Sequence, residues 1–297
     1  GGTRTNIKMA HVPVLLSEVI EYLNIRPGSK IIDATLDGGG HTMAILEKYP
    51  EANVLGIEFD PVLFVSLKIK NDRLIKINDS YVNLKKIVEE YGFKPDGILF
   101  DLGLSSWHYE ESGRGFSFKK NEILDMRFNP EVRSESAADI VNKYSEDELG
   151  DLISSLGEEK FARNIAKNIV RTRREKPIIM TEELVNVINQ SVPEWYKHQK
   201  INFATKTFQA LRVVVNDELG NVRKGVETAI DILKPGGRLV VISFQGMEDK
   251  IVKEIFKEKV KEKVIEFVVK GTVGPSWEEQ KSNPRSRSAK MKIVQKI

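Results

Sequence analysis

Apolar and polar positions along the chain follow two periods in turn, and this pattern predicts the strands and helices. Short apolar runs, typical of strands, lie at residues 29–35, 53–60, 73–79 and 96–103. The first three runs are followed by segments with helical spacing of apolar positions, at residues 41–49, from Pro61 onward, and at residues 81–91. The alternation of strand and helix predicts a parallel sheet with helices packed against it.

The alternation is interrupted between residues 104 and 204, where the pattern predicts helices and no strand. Helices are expected at residues 134–144, 145–156, 158–176 and 181–192, the second of them starting with a capping box of Ser145 and Glu148. Alternation resumes with one long amphipathic helix at 205–233, strands at 238–244, 264–270 and 289–295, and a helix at 247–263. We therefore expect an α/β domain of residues 1–103 and 205–297 with a small helical domain, residues 104–204, inserted into it.

The loop after the first predicted strand contains three consecutive glycines, Gly38 to Gly40. A dinucleotide-binding loop requires a third glycine where this chain has Met43, and a phosphate-binding P-loop requires a lysine that is absent from this loop. Glu58 ends the second strand, where a carboxylate accepts hydrogen bonds from the hydroxyls of a ribose. The loop and Glu58 together predict a cofactor with an adenosine moiety.

Two further acids, Asp79 and Asp101, end the third and fourth predicted strands, at the sheet edge where α/β proteins bind ligands. Three carboxylates at one edge suit the positively charged sulfonium of S-adenosylmethionine better than a polyphosphate. For Asp79 a second interpretation stays open, because an acid before a helix is also typical of an N-cap. Asp101 follows an apolar strand, where an acid is costly unless it is paired or faces a ligand.

The composition restricts the chemistry and the cellular setting. The chain has 297 residues, a net charge of +3 and no cysteine, which excludes disulfides, thiolate metal sites and iron–sulfur clusters. Without a cysteine to activate it, the methyl acceptor should already be a nucleophile. His11, His41 and His198 lack a metal-ligand spacing, so no metal is expected. No apolar run suits a membrane span and no signal peptide is recognisable, so we expect a cytoplasmic protein without a membrane partner.

Basic residues are concentrated in two segments, residues 171–176 and 281–297. The second segment contains six lysines and arginines and no acidic residue. Each segment alone is equally compatible with a solvated surface and with contact to RNA phosphates. Two such segments beside a cofactor domain favour RNA as a partner.

Short motifs over nearly the whole chain resemble those of the bacterial ribosomal RNA small-subunit methyltransferase H family. In chain order they are His11-Val-Pro-Val-Leu-Leu16, Asp33-Ala-Thr-Leu36 with Gly39-Gly40-His41-Thr42, Asp101-Leu-Gly-Leu-Ser-Ser106, Arg114-Gly-Phe-Ser-Phe118, Leu124-Asp-Met-Arg127, Gly157-Glu-Glu-Lys-Phe-Ala162, Ala204-Thr-Lys-Thr-Phe-Gln-Ala-Leu-Arg212 and Asn283-Pro-Arg-Ser-Arg-Ser288. The resemblance implies a Rossmann-like class I methyltransferase sheet with an inserted helical domain that recognises the substrate. It also implies methyl transfer from S-adenosyl-L-methionine to the exocyclic N4 of a cytosine in 16S ribosomal RNA, near the decoding centre.

Carried onto matching positions, the resemblance implies seven cofactor-binding residues: Gly39, Gly40, His41, Glu58, Tyr81, Asp101 and His108. Asp101 is also expected to be the catalytic residue, either by placing the cofactor or by accepting a proton from the amine. Several positions depart from the residues usual in the family: Glu58 replaces Asp, His108 replaces Gln, Asp37 replaces Gly, and Ser243-Phe-Gln-Gly-Met-Glu-Asp-Lys250 replaces Ser-Phe-His-Ser-Leu-Glu-Asp-Arg, with Gln245 in the place of His.

A second set of residues is expected to contact the RNA substrate: Arg114, Phe116, Phe118, Asp125, Arg127, Arg285 and Arg287. Arginine and phenylalanine suit this role because they stack on bases and bond to base edges. An equally supported interpretation is that Phe116 and Phe118 anchor the insertion to the sheet domain. Trp107, Trp195 and Trp277 fit either a core or a stacking role. Methylation of another amine and a catalytically silent role in ribosome assembly stay open, and the oligomeric state is not predicted.

Overall fold

The computed structural model describes residues 13–297, so the motif residue His11 lies outside the described residues. The chain divides into two compact units, which we call the sheet unit and the helical unit. The sheet unit contains the described residues up to Gly103 together with Leu219–Ile297, and the helical unit contains Leu104–Glu218. The first boundary coincides with the predicted insertion point after residue 103.

Strands and helices are numbered in chain order. The strands are β1 Lys30–Asp33, β2 Asn53–Glu58, β3 Leu74–Asn78, β4 Gly97–Asp101, β5 Arg238–Ser243, β6 Ile265–Phe267 and β7 Lys290–Lys296. The helices are α1 Leu16–Tyr22, α2 Gly40–Lys48, α3 Pro61–Ser66, α4 Leu84–Glu90, α5 Ser106–Glu110, α6 Ala137–Lys143, α7 Glu146–Gly157, α8 Ala162–Arg173, α9 Thr181–Ser191, α10 Glu194–Lys197, α11 Thr205–Asn216, α12 Glu218–Ile232, α13 Gly246–Lys261 and α14 Trp277–Ser282. Short 3-10 turns lie at Tyr81–Asn83 and Pro284–Ser288.

The strands form one sheet in the order β3-β2-β1-β4-β5-β7-β6. This is the order of a Rossmann-like class I methyltransferase sheet, so the predicted fold class is confirmed. The prediction of a wholly parallel sheet is wrong for β7, which runs antiparallel to both β5 and β6. A parallel neighbour requires a crossover helix packed on the sheet. The helix between β6 and β7 is α14, which buries none of its residues and provides no such crossover.

Two apolar layers cover the faces of the sheet. Neighbouring residues of β1 point to opposite faces, so Ile32 packs with the core residues of α4, α12 and α13, whereas Ile31 packs with those of α1 and α2. The apolar residues of β4, Ile98 to Phe100, are fully buried for the same reason. The polar residue that ends this strand therefore lies at the edge of a dry core.

The predicted single helix at residues 205–233 is wrong, because it consists of two helices. α11 ends at Asn216, Asp217 takes a left-handed conformation with φ of 50°, and α12 begins at Glu218. Each of the two helices buries one face, so the helical spacing of apolar positions continues across the break. The break is therefore not visible in the sequence pattern. α11 belongs to the core of the helical unit, which places the second boundary at 218/219 instead of 204/205.

The helical unit is built around one apolar core. Each of its longer helices contributes at least one fully buried side chain: Ile140 from α6, Leu149 from α7, Ile165 from α8, Leu184 from α9 and Leu211 from α11. The four helices predicted within the insertion are present, and Ser145 and Glu148 form the predicted capping box. The unit is therefore held together by amphipathic helices whose apolar faces the sequence already indicated.

Gly225 in α12 leaves room for the ring of Tyr81. A Cβ atom at Gly225 would lie 2.5 Å from Cδ2 of Tyr81. We expect Gly225→Ala to destabilise the protein by about 1–3 kcal/mol, since crowding outweighs the better helix propensity of alanine. Thermal unfolding would measure this. The control is Gly246→Ala in α13, where a Cβ atom meets nothing within 4 Å, and an unfolding temperature lowered equally in both variants would refute the steric explanation.

Candidate active site

Three carboxylates end neighbouring strands of the sheet unit, two of them buried and the third, that of Asp101, half-buried. Asp33 ends β1, Glu58 ends β2 and Asp101 ends β4, and β1 pairs with both of the other strands. The carboxyl ends of parallel strands meet at one edge, which is where open α/β sheets bind ligands. The structure thus brings together two of the predicted acids, Glu58 and Asp101, and adds Asp33.

The glycine loop between β1 and α2 is a tight turn, in which Gly38 is exposed and Gly39 is buried. Asp37 and Gly39 have φ values of 45° and 74°, in the left-handed region. A Cβ atom at Gly39 would lie 2.3 Å from Cδ1 of Ile69, and one at Gly40 would lie 2.4 Å from Cγ of Pro13. α2 starts at Gly40 without a side-chain cap. The loop is therefore closely packed, and the backbone N–H of Gly39 donates a 2.7 Å hydrogen bond to the carbonyl of Leu36. The N–H of Gly40, in the first turn of α2, is left for a ligand.

Glu58 is held in place by its immediate neighbours. Its Oε1 atom accepts a 2.8 Å hydrogen bond from the backbone N–H of Asp60, and its backbone carbonyl accepts one of 2.7 Å from Nδ2 of Asn78. The residue is 5% exposed, and burial raises the pKa of its carboxyl group to about 8. A carboxylate that burial makes costly to ionise gains from a ligand that donates hydrogen bonds to it.

Asp101 has one carboxylate oxygen without a hydrogen-bond partner in the described structure. This atom, Oδ1, is buried, whereas the backbone N–H of the residue donates a 2.7 Å hydrogen bond to Oγ1 of Thr35. Burial, followed by the nearby negative charges of Asp33 and Glu248, raises the pKa of Asp101 to about 8. A buried acceptor that lacks a donor is destabilising unless a ligand supplies one.

His41 faces Asp101 from the first turn of α2. Its Nε2 atom lies 3.0 Å from the backbone oxygen of Val14, which only accepts, so Nε2 carries a proton. The neutral ring then presents the lone pair of Nδ1 to Oδ2 of Asp101, 3.6 Å away. Two acceptors repel each other, so the pair holds one further proton, either on the carboxylate or on the ring. This arrangement agrees with the raised pKa of Asp101.

Asp33 and Asp37 complete a group of acids around the loop. Asp33 is 1% exposed and accepts a 2.6 Å hydrogen bond from Oγ1 of Thr42, while burial raises its pKa to about 7. The pKa of Asp37 is raised well above its usual value by burial and then by the charges of Glu58 and Asp101. Because these acids resist ionisation without a positive charge nearby, the edge is suited to a cationic ligand.

Tyr81 and Asp79 lie beside the end of β3. The Tyr81 ring packs edge-on against Phe100, with centroids 5.3 Å apart. The helix start at Tyr81 is capped by Ser80, while Asp79 accepts hydrogen bonds from the Ser80 backbone N–H at 2.6 Å and from Nδ2 of Asn83 at 2.7 Å. Asp79 thus stabilises the turn, which favours the structural interpretation of this residue.

In the helical unit, His108 lies in an aromatic cluster. The residue is 4% exposed. Its ring contacts the rings of Trp107, Phe116 and Phe128 edge-on, with centroids 5.1–5.3 Å apart. Phe116 also stacks on Phe128, at 5.4 Å. The cluster fixes the orientation of the imidazole through packing on several sides.

The loop around residue 126 ties together the predicted substrate residues of the helical unit. Arg127 forms a paired interaction with Asp125 at 2.7 and 2.8 Å, and Nη1 of Arg114 donates to the carbonyls of Arg127 and Phe128. Phe118 packs against Phe208. Within the helical unit, these five predicted residues, Arg114, Phe116, Phe118, Asp125 and Arg127, all serve packing or loop geometry, and their role toward RNA stays a prediction.

Arg285 and Arg287 are exposed in the 3-10 turn that precedes β7 in the sheet unit. Buried Ser286 holds the turn by donating a 2.8 Å hydrogen bond to the carbonyl of Asn283. The two arginines therefore project from an ordered turn. The described residues contain no group of three or more acids and histidines arranged to hold a metal, and none of the helices they form is long and apolar enough to cross a membrane.

Sequence reasoning did not assign roles to Asp33, Thr35, Thr42 and Asn78. Thr35 and Asn78 bond to the backbone of the predicted acids Asp101 and Glu58, and Thr42 bonds to the additional acid Asp33. Asp33 and Thr35 belong to the quoted Asp33-Ala-Thr-Leu36 motif, so the pattern held a signal for them. Asn78 had none, because its contact with Glu58 depends on the pairing of β2 with β3.

A comparison with known families decides which group of proteins has this arrangement. Residues 8–297 match the model of the MraW methylase family. The chain belongs to the MraW methylase family. The Dictyoglomus thermophilum relative is 43% identical, over 97% of each chain, and the Thermosipho melanesiensis relative is 42% identical, over 97% of this chain and 98% of its own. A Dehalococcoides mccartyi relative is 41% identical, over 98% of this chain and 88% of its own. Each of these three MraW relatives is named "Ribosomal RNA small subunit methyltransferase H".

Proposed function

We propose that this protein transfers a methyl group from S-adenosylmethionine to the exocyclic N4 of a cytosine in small-subunit ribosomal RNA. The names of its relatives support the RNA and the reaction, and the resemblance of its motifs supports the cytosine N4. The structural observation that carries the proposal is Asp101. It is a half-buried carboxylate whose buried Oδ1 atom has no hydrogen-bond partner in the described structure, placed at the ligand edge of the sheet beside the glycine loop.

The residues at this edge fit S-adenosylmethionine by charge and by hydrogen-bonding capacity. The cofactor carries a positive sulfonium and an ammonium group, which suit the clustered acids Asp33, Asp37 and Asp101. Its ribose provides two hydroxyl donors for Glu58, which has capacity beyond its bond to the Asp60 N–H. The backbone N–H of Gly40, at the start of α2, is open to the carboxylate of the cofactor because α2 lacks a side-chain cap, whereas the N–H of Gly39 already donates to the carbonyl of Leu36.

When bound, S-adenosylmethionine supplies an electrophilic methyl group on its sulfonium. In our proposal Gly39, Gly40, His41, Glu58, Tyr81, Asp101 and His108 hold the cofactor. Tyr81 is suited to this because its ring is fixed against Phe100 and under Gly225. His108 is suited because its imidazole is oriented by three rings.

The catalytic task is to orient the N4 amine and to accept its proton. The lone pair of N4 is delocalised into the cytosine ring, so the amine is a weak nucleophile until it rehybridises. Asp101 is the proposed acceptor, because the bound cation favours its ionised form and its Oδ1 atom has no donor within the described structure. His41 faces its Oδ2 atom and stabilises the shared proton. Positioning of the two reactants supplies much of the remaining acceleration.

The proposed function is tested by mapping the methyl group. The protein is incubated with S-adenosylmethionine carrying a labelled methyl group and with either small ribosomal subunits or naked 16S ribosomal RNA. Digestion of the RNA and identification of the labelled nucleoside should give N4-methylcytidine at one position. Label in protein or in a small molecule alone would contradict the proposal, and label in another nucleoside would contradict the cytosine N4.

Cofactor affinity should depend on pH. Glu58 and Asp101 have pKa values of about 8 in the free protein, and a cation favours their ionised forms. S-adenosylmethionine should therefore bind more tightly as the pH rises toward about 8, by up to roughly tenfold per pH unit for each coupled proton, and change little above that. Calorimetry in buffers of different ionisation enthalpy would also detect the released protons. S-adenosylhomocysteine, whose sulfur is neutral, is the control and should show a weaker dependence. An affinity for S-adenosylmethionine that is constant with pH would contradict the assignment.

A further inference from the structure

Helix α8 presents a continuous basic face on the surface of the helical unit. Arg163, Lys167, Arg171 and the adjoining Arg174 are all exposed. With 3.6 residues per turn, these four positions fall within a sector of about 80° and extend about 16 Å along the helix axis. The opposite side of the helix is buried in the core: Ala162, Ile165, Ala166 and Ile169. The basic residues therefore form one ridge, directed away from the core.

Most of the charge on this ridge is not neutralised within the described structure. Arg163 forms ion pairs with Asp147 and Asp151 of α7. Lys167, Arg171 and Arg174 form no ion pair with any described residue. Neighbouring Arg173, in contrast, turns inward and donates a hydrogen bond to the carbonyl of Val141. Three aligned cations without a structural partner match the charge of a polyanion.

An aromatic cluster with one exposed ring, that of Trp195, lies at the N-terminal end of α8. Trp195 of α10 is 57% exposed, and its ring lies 6.1 Å from that of Phe161 and 5.8 Å from that of Tyr196. Nζ of Lys160 lies 4.2 Å from the centre of the Trp195 ring. Tyr196 is fixed below by its hydroxyl, which donates to Oε2 of Glu159 at 2.7 Å. An exposed ring held rigidly beside an ammonium group is suited to stack on a nucleobase.

We propose that a single-stranded segment of the RNA substrate lies along α8, with phosphates on Lys167, Arg171 and Arg174 and a base stacked on Trp195. This inference rests on the proposed function, which supplies RNA as the polyanion. An acidic protein surface would satisfy the three cations but would leave the exposed tryptophan without a partner. RNA satisfies both, because it carries phosphates and flat bases on the same strand.

The test measures RNA binding by two variants and a matched control. One variant combines Lys167→Gln, Arg171→Gln and Arg174→Gln, and the other is Trp195→Ala. The control combines Lys253→Gln, Lys257→Gln and Lys261→Gln, which removes the same charge from exposed positions of α13 in the sheet unit. Binding of a fluorescent 16S ribosomal RNA fragment is titrated at several salt concentrations. Circular dichroism and S-adenosylmethionine binding confirm that each variant is folded.

The triple α8 variant should bind the RNA roughly 10–100-fold more weakly, and its salt slope should fall by about 2 because three phosphate contacts are lost. Trp195→Ala should weaken binding about tenfold or more with an almost unchanged salt slope. The control should bind like the wild type. An α8 variant that binds and methylates RNA like the wild type would overturn the inference and leave the proposed function intact. The inference would also be overturned, with the proposed function intact, if the triple α8 variant bound assembled subunits more weakly but naked RNA as well as the wild type does. That result would indicate that α8 contacts a protein of the subunit. A wild type that neither binds nor methylates the RNA would overturn both.

Discussion

Replacing Asp101 with Asn is expected to lower kcat/KM for methyl transfer by roughly 10² to 10⁴, because the variant loses its proton acceptor and one negative charge at the cofactor edge. The amide has nearly the shape of the carboxylate and can donate to Nδ1 of His41, which lies 3.6 Å from Oδ2 of Asp101. The fold should therefore remain intact. Single-turnover transfer of labelled methyl to 16S ribosomal RNA would measure the effect.

The stability of the Asp101→Asn variant provides an internal check. The pKa of Asp101 is raised from 3.8 to about 8 in the folded protein, so the group contributes stability below about pH 4 that is lost as the pH rises through about 8. Asparagine does not ionise, so the variant does not lose stability in this way as the pH rises. It should be at least as stable as the wild type at pH 8. Asp231→Asn, at an exposed position of α12, is the control for loss of a charge alone. Full activity in Asp101→Asn would refute the proposed role, and a markedly lower unfolding temperature at pH 8 would refute the electrostatic explanation.

Removal of the Glu58 carboxylate should cause the largest loss of cofactor binding. Hydrogen bonds to a charged acceptor contribute about 1.5–3 kcal/mol each, so loss of two ribose contacts in Glu58→Ala should raise the Kd for S-adenosylmethionine by about two to four orders of magnitude. Binding by calorimetry at pH 8 measures this directly. RNA binding in the absence of cofactor should change little, because the proposed RNA contacts of α8 lie on other residues.

Two further variants separate the carboxylate from the shape of the side chain. Glu58→Asp keeps the acceptor and introduces the residue that is usual in the resembled family, so its Kd should stay within about tenfold of the wild type. Glu58→Gln keeps the shape of the side chain but only one carbonyl acceptor, so its Kd for S-adenosylmethionine should lie between those of Glu58→Asp and Glu58→Ala. A Glu58→Ala variant that binds the cofactor like the wild type would show that the ribose is held elsewhere.

Much of the sheet unit was predictable because its information is local. Short apolar runs with glycine and proline between them indicated all seven strands, and the acids at the ends of β2 and β4 were recognisable from their position after an apolar strand. Four short helices were not predicted: α1, α5, α10 and α14. Each spans at most seven residues, too few to establish a helical period.

The break at Asp217 shows a different limit of sequence interpretation. The side chain of Asn216 accepts from the backbone N–H of Phe128 at 2.9 Å and donates to the carbonyl of Met126 at 2.8 Å. These contacts join residues 88 and 90 positions apart, so no local pattern encodes them. They hold the end of α11 in the helical unit and thereby set the second boundary after Glu218.

By itself, the sequence determined the fold class, the order of most elements, the family resemblance and the candidate acids, because periodicity, turn residues and motif spacing are properties of neighbouring positions. The tertiary structure alone decided that β7 is antiparallel, that Asp33 lies beside Glu58 and Asp101, and that Oδ1 of Asp101 is buried without a donor. It also decided that three cations of α8 stand without an acidic partner in the described structure, whereas Arg173 turns inward. The burial of a charged side chain and its pairing with other groups depend on segments distant in the sequence. Burial and pairing together determine the charge of the candidate site.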